Sequence, residues 1–375
     1  MTKYFLLLLR KLSKIPITIV LLITLVACFG FVLMYSAAQG SFYPWAIRQM
    51  IHFAIFMPIM IMVSLIDLRF WYKSAYLFYY IALALLILVH LLGYTAMGAT
   101  RWINLGIIKL QPSELMKICI VFALARYFHD LNNKELELKY LIIPSMMLII
   151  PAILIIKQPD LGTGLILLML GVIMFFIAGV KRWVFIASFI ALSVALPVIW
   201  RFLHEYQKNR ILTFFDPERD PLGSSYNIIQ SKIAIGSGGF FGKGFMQGSQ
   251  SQLKFLPEHQ TDFIFTMLCE EWGMFGGGVL LLVFSILIFY CYLIALNARS
   301  KFGQLLALGV TSMFFLHVFI NIGMVMGLLP AVGVPLPLLS YGGTMMMTIL
   351  IGFGLVISVH IHGRYSINNA LNNFF

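Results

Sequence analysis

The chain has 375 residues, of which 61% are hydrophobic and only 11% are charged, and its mean hydropathy is +0.94. Soluble globular domains are about 45–50% apolar and about 25% charged, so this composition excludes a soluble protein and indicates one embedded in lipid. The net charge of +12 comes from Lys and Arg scattered through loops between apolar runs, which is typical of a membrane topology signal and not of nucleic-acid binding.

Apolar runs long enough to cross a bilayer recur along the whole chain. A spanning helix needs about 20 apolar residues, and the sequence predicts about ten such helices. Their approximate ranges are 15–36, 45–66, 75–93, 112–128, 140–156, 161–180, 183–202, 263–296, 303–329 and 336–360. The predicted fold class is therefore an all-α polytopic membrane protein, with residues 1–375 forming a single transmembrane domain.

The distribution of basic residues predicts the orientation of these helices. With the N-terminus in the cytoplasm, the cytoplasmic side holds most of the Lys and Arg of the short loops. The short outer loops then hold Arg48, Arg101, Lys109 and Lys157. This asymmetry predicts that both termini are cytoplasmic, with 363–375 as a short tail.

The largest loop, 203–261, is predicted to lie on the extracytoplasmic side between the seventh and eighth helices. Apolar residues at 228, 229, 233 and 235 predict a short amphipathic helix over 225–235 at the outer interface. The glycine-rich segment 236–244 superficially resembles a phosphate-binding loop, but no strand precedes it. We interpret it as a hinge or close-packing segment, with Lys243 as a candidate phosphate contact.

Ionisable residues near the outer ends of the helices indicate a site, because such groups are costly inside a membrane. Glu114 and Lys117 lie three residues apart near the start of the fourth helix, so they share a face and are expected to pair. A structural ion pair between helices explains them equally well. Asp160 opens the sixth helix, where a helix cap is the alternative. Arg101 and Trp102 precede the fourth helix, where an interfacial aromatic beside a cation is also ordinary.

The strongest candidate for acid–base chemistry is Asp262, at the start of the eighth helix. A carboxylate at the lipid–water boundary tends to have a raised pKa, which suits a general base near neutral pH. The alternative is a helix cap or a partner of the helix dipole. His259 could be a second acid–base group, but a lone histidine at a loop end is more often a hydrogen-bonding residue.

These positions carry motifs that resemble the SEDS (shape, elongation, division and sporulation) family over essentially the whole chain. The matching segments are Gly98–Ile103, Gln111–Glu114 with Lys117, Gln158–Thr163, Gln230-Ser231, Ala234–Gly239, Leu256–Glu258, Thr261–Phe265 with Glu270-Glu271, Gly333–Pro337 and Ser340–Gly343. The segments Asp216–Gly223 and Gly242–Phe245 favour the elongation branch over the division branch. The family often has histidine directly before the Thr-Asp pair, whereas Gln260 stands there in this chain, so the role of His259 stays open.

The resemblance implies a peptidoglycan glycosyltransferase that polymerises lipid II at the outer face of the cytoplasmic membrane. Asp262 would be the general base, and undecaprenyl pyrophosphate would leave. The residues and the resemblance together predict these substrate-binding residues: Arg101, Trp102, Glu114, Lys117, Asp160, Arg210, Lys243, Glu258 and Thr261. Of these, Arg101, Lys117, Arg210 and Lys243 are candidates to neutralise the pyrophosphate. The sequence contains no dedicated metal cage, although Mg²⁺ or Mn²⁺ could assist at the pyrophosphate.

The family also implies partners: a class B penicillin-binding protein that acts as transpeptidase, and the elongation machinery. Two other functions stay open from the residues themselves. A lipid II flippase is compatible with many helices and intramembrane charges, although such transporters commonly show internal repeats that this sequence lacks. A pure scaffold would leave the Thr261-Asp262 pair unexplained.

Overall fold

The computed structural model describes residues 6, 9–92, 94–96, 99–104, 109–131, 137–202, 205–216, 225–253, 255–256 and 258–363. The helices are α1 (Ile17–Ala37), α2 (Ala46–Leu65), α3 (Leu68–Leu92), α4 (Pro112–Asp130), α5 (Ile142–Lys157), α6 (Leu161–Ala178), α7 (Arg182–Phe202), α8 (Glu205–Phe215), α9 (Tyr226–Gly238), α10 (Ser249–Gln252), α11 (Ile264–Leu296), α12 (Lys301–Val325) and α13 (Gly343–His362). A short 3-10 helix, Leu138–Leu141, precedes α5. The motif residues 217–224 and the predicted tail from 364 onwards lie outside the described residues.

The prediction of a mostly helical membrane protein is confirmed. Within the described residues, eight helical segments are long and apolar enough to cross a bilayer. The other two predicted spans correspond to α4, which carries several ionisable side chains, and α7, whose apolar part is the shorter stretch Arg182–Val198. Along α7 the apolar side chains are largely exposed within the chain, so in a membrane they face lipid.

Local sequence explains several helix ends. Pro112 occupies the first turn of α4, where its missing N–H leaves no bond unmade. The Asp160 carboxylate accepts a hydrogen bond from Thr163 N–H and so caps α6. Ser300 caps α12 in the same way through Gly303 N–H. Gly179 ends α6 in the left-handed conformation, with φ of +96°.

The all-α prediction is wrong at one place, the segment 94–110. This segment forms a small antiparallel sheet of β1 (Tyr94–Ala96), β2 (Ala99–Asn104) and β3 (Lys109–Leu110), in the order β1-β2-β3. Trp102 pairs with Tyr94, and Ile103 pairs with Leu110. The sheet holds the chain between α3 and α4 in a fixed shape at one end of the helices.

Two predicted helix starts are also corrected. The third helix begins at Leu68, several residues before the predicted 75, because it includes Arg69 and Lys73, which reduce the local hydropathy. The last helix begins at Gly343 instead of 336, because Pro335 and Pro337 belong to a loop that returns from α12. In both cases the apolar run in the sequence does not coincide with the helix.

The helices have two chemically distinct ends. At one end, which we call the basic end, Lys11, Arg69, Lys73, Arg126 and Arg299 lie near the helix termini. Lys11 there donates to the carbonyl of Leu65, and Arg126 donates to the carbonyl of Lys73. The opposite end, which we call the site end, holds the β-sheet, the turn between α5 and α6, the described residues of 205–263 and the loop 327–342. The α12 and α13 helices are the most buried of the spans and form the centre of the bundle.

Helix α9 occupies the segment for which the sequence predicts an amphipathic helix. The residues that it buries are Ser231, Ala234 and Gly238, whereas the apolar side chain of Ile233 is exposed. The Ser231 hydroxyl contacts Thr266 of α11 at 2.6 Å and donates to the carbonyl of Val325 of α12 at 2.8 Å. Small residues therefore pack this helix against α11 and α12, and its placement at the membrane surface stays a prediction.

Candidate active site

Asp262 lies at the site end, two residues before α11 begins. Its carboxylate is partly buried and faces Gly333 across the site, where a Cβ would be 3.3 Å from Oδ2. The absence of a side chain at Gly333 therefore leaves space next to the carboxylate. Among the described residues, no protein group donates a hydrogen bond to this carboxylate. It is consequently free to accept a proton from a bound molecule.

The turn that carries Asp262 is shaped by its neighbours. Glu258 adopts the left-handed conformation, with φ of +63°, and its carbonyl accepts from Thr261 N–H at 3.0 Å. The Thr261 hydroxyl donates to Glu258 Oε2, also at 3.0 Å. His259 is buried, contacts the carbonyl of Leu256 at 3.0 Å, and packs edge-on against Trp45. These contacts give His259 a structural position beneath the turn.

Arg101 and Asp160 form a second polar group at the site end. Arg101 donates to the carbonyls of Gln158 and Pro159, and its guanidinium lies 3.9 Å from the Asp160 carboxylate. Asp160 also accepts from Gln111 Nε2 at 3.1 Å. These bonds join strand β2 to the start of α6 and fix a cation at the surface of the site. Trp102, the next residue of β2, is partly buried.

Four charged groups act on Asp262. Burial is the main cause that raises the pKa of Asp262 to about 7, and the carboxylate of Glu258 adds to it. Arg210 on α8 opposes the rise, Asp160 adds to it, and Arg101 again opposes it. The five residues come from four segments of the chain, since Glu258 and Asp262 share one turn, and all of them were predicted from the sequence. Their charges act on one carboxylate, so they lie near one another at the site end.

Glu114 and Lys117 form the predicted pair, but inside the bundle. Lys117 is fully buried and contacts Glu114 Oε1 and His317 Nε2, each at 2.7 Å. His317 belongs to α12, so the cluster joins α4 to α12. This arrangement supports the interpretation of the pair as a tie between helices.

Loss of the Lys117 cation should destabilise the protein strongly. Lys117→Met leaves the buried Glu114 carboxylate without its cation, and breaking one partner of a buried pair costs about 3 kcal/mol or more. The double variant with Glu114→Gln should recover part of this loss, because it removes the uncompensated charge. Thermal unfolding in detergent measures the effect.

Lys139→Met is the matched control, since Lys139 pairs with Glu137 at 2.6 Å with both side chains more than half exposed. An exposed pair contributes only about 0–1 kcal/mol. Equal melting temperatures for the Lys117 and Lys139 variants would contradict the tie between helices.

Lys243 was predicted as a phosphate contact, and the structure pairs it with a buried carboxylate. Its ammonium group lies 2.8 Å from Glu270 Oε1, which also accepts from Gln250 N–H. Glu270 is fully buried. The adjacent Glu271 accepts a hydrogen bond from Ser36 of α1. Both glutamates therefore hold the start of α11 to neighbouring segments.

The glycine-rich segment is built into a break in α11. Gly273 has non-helical backbone angles, with φ of +67°, so the bonds from Met274 N–H and Phe275 N–H to the carbonyls four residues earlier are absent. The segment 239–244 replaces all four partners. The bonds are Lys243 N–H to Glu270 O (3.0 Å), Gly244 N–H to Glu271 O (3.0 Å), Met274 N–H to Gly239 O (2.9 Å) and Phe275 N–H to Phe240 O (3.0 Å). The close-packing interpretation of 236–244 agrees with this arrangement.

Sequence reasoning missed several polar residues of the site, above all His317 and Asn321 on α12. Asn321 is fully buried, and its side-chain amide donates to the carbonyls of Asp262 and Val334. The two residues are four apart in an otherwise apolar run, so they share one face of a spanning helix. Polar residues at that spacing inside the membrane were a sufficient signal. Ser340, which contacts the Asp262 turn, lies in the matching segment Ser340–Gly343, but no role was predicted for it.

A mostly helical bundle with Asp262 and the charged residues around it at one end defines a multi-pass membrane protein with a site at that end. Comparison with known proteins gives its family. The FtsW/RodA/SpoVE model, described as cell cycle protein, matches residues 14–365. The chain is 41% identical over 341 residues to the peptidoglycan glycosyltransferase MrdB of Escherichia coli (strain K12), which covers 88% of this chain and 91% of MrdB.

Two solved structures agree with the fold. A chain of a peptidoglycan synthase complex, described by its coordination of polymerization and crosslinking, has a TM-score of 0.82 and 28% identity over 92% of this chain and 97% of that one. The rod shape determining protein RodA of Thermus thermophilus has a TM-score of 0.71 and 25% identity over 94% and 98%. The chain belongs to the SEDS family of FtsW, RodA and SpoVE proteins, and it is a multi-pass protein of the cytoplasmic membrane.

Proposed function

We propose that the chain is a peptidoglycan glycosyltransferase that polymerises lipid II for cell-wall elongation and rod shape. Its similarity to MrdB and RodA supports the activity and the elongation role. The observation that carries the proposal is Asp262, a carboxylate with a pKa raised to about 7 and no hydrogen-bond donor among the described residues. A general base works best when its pKa lies near the working pH.

In the proposed reaction, two lipid-linked saccharides bind at the site end. The 4-hydroxyl of the acceptor sugar attacks the anomeric carbon of the donor, and Asp262 takes the hydroxyl proton. The bond from that carbon to the pyrophosphate oxygen breaks, undecaprenyl pyrophosphate leaves, and the anomeric centre is inverted. Arg101 and Arg210 are the cations coupled to Asp262 and would neutralise the leaving group. Glu258, Thr261, Asp160 and Trp102 would shape the binding surface around it.

The other predicted substrate residues would act less directly. Lys117 and Glu114 pair with each other inside the bundle. They would therefore stabilise the packing of the helices next to the site. Lys243 is held by Glu270, and a contact with phosphate would compete with that ion pair.

A divalent cation would need phosphate ligands from the substrate. No group of three His, Cys, Asp or Glu suited to a metal ion occurs in the part of the chain that the structure describes. Asp160 is already engaged by Thr163 and Gln111. If Mg²⁺ or Mn²⁺ takes part, it would be bound chiefly by pyrophosphate oxygens, as Mg²⁺ commonly is in such sites.

The proposed orientation places the site end outside the cell. Basic residues favour the cytoplasmic side, so the basic end faces the cytoplasm. Adding α4 and α7 to the eight spans gives ten crossings, with both termini in the cytoplasm and the segment 203–261 outside. A crosslinking partner of the class B penicillin-binding protein type fits the similar chain in the peptidoglycan synthase complex. The elongation machinery would recruit this pair.

The decisive test measures glycan strands made from purified lipid II by the full chain in detergent, together with a class B penicillin-binding protein. Wild type should produce strands, and a folded Asp262→Asn variant should not. Equal polymerisation by both would remove Asp262 from the mechanism. The flippase alternative would replace the proposal if wild type made no strands and instead moved lipid II across liposome membranes.

The rate of polymerisation should depend on the protonation of Asp262. A protonated carboxyl cannot take the acceptor proton, so the rate should fall about tenfold per pH unit below a midpoint near 7. Glu258 raises the pKa of Asp262, so Glu258→Gln should move this midpoint to lower pH. Initial rates between pH 5 and 8.5 measure both effects. A midpoint near 4 would show that Asp262 behaves as an ordinary exposed carboxylate.

A further inference from the structure

The turn that carries Asp262 is held by three successive backbone carbonyls. Each carbonyl accepts a hydrogen bond from a different residue on the opposite side of the site. The pairs are Tyr341 N–H to Gln260 O at 2.9 Å, Ser340 Oγ–H to Thr261 O at 2.6 Å, and Asn321 Nδ2–H to Asp262 O at 2.8 Å. Three bonds at consecutive residues fix both the position and the rotation of the turn.

Asn321 joins the Asp262 turn to the wall that faces the Asp262 carboxylate. Its amide nitrogen donates to Asp262 O and also to Val334 O at 2.6 Å. Val334 follows Gly333, the residue that faces Asp262 Oδ2. Both neighbours are carbonyl oxygens, which only accept, so the amide nitrogen must point towards them. One buried side chain on α12 therefore sets the distance between the base and the opposite wall.

Ser340, in the loop 327–342, also holds the Asp262 turn. Its hydroxyl donates to Thr261 O and accepts from Leu336 N–H at 2.7 Å. Its carbonyl accepts from Gln49 Nε2 of α2 at 2.9 Å. Ser340 is buried, and its contacts connect the Asp262 turn to α2. Its bonds to Leu336 and Gln49 therefore fix the position of Ser340, and Ser340 in turn holds the Asp262 turn.

We propose that Asn321 and Ser340 are positioning residues, which hold the Asp262 turn so that its carboxylate meets the acceptor hydroxyl. The inference rests on the proposed function, in which Asp262 is the base. A general base must lie within about 2.6–3.2 Å of the heavy atom whose proton it takes. A displacement of about 1 Å can lower the rate about 10²-fold. Loss of either donor releases one carbonyl of the turn, and the carboxylate moves with it.

The test measures kcat and KM for lipid II polymerisation, in the preparation used for Asp262→Asn. Asn321→Leu keeps the size and removes both donated bonds, so kcat should fall about 10–100-fold while KM changes less than about threefold. A purely structural residue would lower the amount of folded protein without changing kcat.

Ser340 provides the test if Asn321 variants do not fold. Ser340→Ala removes one donor and should lower kcat about three- to tenfold, the effect of one lost hydrogen bond. Ser340→Thr keeps the hydroxyl and should restore most of the activity. Thr311→Val is the control on α12, since the Thr311 hydroxyl donates to Ala307 O of its own helix. We expect it to leave kcat within about twofold of wild type, because it does not touch the turn.

The outcomes separate the inference from the proposed function. If Asp262→Asn is inactive while Asn321→Leu and Ser340→Ala keep wild-type kcat, the positioning roles are overturned and the base remains. If Asp262→Asn polymerises like wild type, the proposed base is wrong, and the positioning roles fail with it. Loss of kcat in the Asn321 and Ser340 variants, with recovery in Ser340→Thr, supports them.

Discussion

Replacing Asp262 by asparagine should lower the rate of lipid II polymerisation by about 10²–10⁴-fold, the usual contribution of a positioned general base. Asparagine keeps the size of the side chain and an acceptor oxygen, but it cannot take a proton at neutral pH. The three backbone bonds that hold the turn involve main-chain carbonyls, so the substitution leaves them in place. The fold should therefore survive while the chemical step fails.

The kinetic pattern should distinguish a base from a binding residue. The loss should fall on kcat, because proton transfer occurs only in the transition state, whereas KM should change little. Asp67→Asn is a matched control: Asp67 lies at the basic end, with its side chain about half exposed beside Arg69. It removes the same charge at the other end of the bundle and should leave the rate unaltered. An Asp262→Asn variant with a raised KM and an unchanged kcat would assign Asp262 to substrate binding.

The sequence predicted the charged residues of the site better than the hydrogen bonds that hold the Asp262 turn in place. Arg101, Asp160 and Glu258 were identified from motifs, and Arg210 as a candidate cation for the pyrophosphate. The charges of all four act on Asp262. This worked because an ionisable group inside a membrane is costly and by default marks a site. Asn321 was missed because its amide is uncharged, whereas the site was predicted from charged residues. The amide of Asn321 acts by hydrogen bonds to two backbone carbonyls. No sequence pattern shows which carbonyls a side chain will bond.

The errors in the fold have physical causes as well. Hydropathy finds helices that face lipid, but it cannot find the short strands of 94–110, where no alternating pattern is long enough to read. It also places the last helix too early, because the loop before Gly343 is apolar and packs inside the protein. The partner of Lys243 could not be predicted, since the ion pair with Glu270 depends on how 239–244 enters the break in α11.

That break makes Gly242 the most sensitive glycine of the segment 236–244. Its φ is +83°, and a Cβ there would lie against the carbonyl of Glu271 and 2.6 Å from Trp272 N. Both neighbours are backbone atoms of α11, so they cannot rotate away as a side chain would. A non-glycine residue in this conformation costs about 1–3 kcal/mol, and overpacking adds about 1–3 kcal/mol.

Gly242→Ala should therefore destabilise the protein by about 2–6 kcal/mol from these two costs together, and the displaced segment also loses backbone hydrogen bonds to α11. The expected result is a melting temperature lower by roughly 10 °C, or failure to accumulate as a folded species in detergent. Gly236→Ala is the matched control in the same segment, since a Cβ at Gly236 meets no atom within 4 Å. Its melting temperature should stay within about 2 °C of wild type, as expected for a surface substitution. Equal stability of the two variants would mean that 239–244 does not replace the missing helix bonds at Gly273, and that the kink is held by the side chains of Glu270 and Glu271 instead.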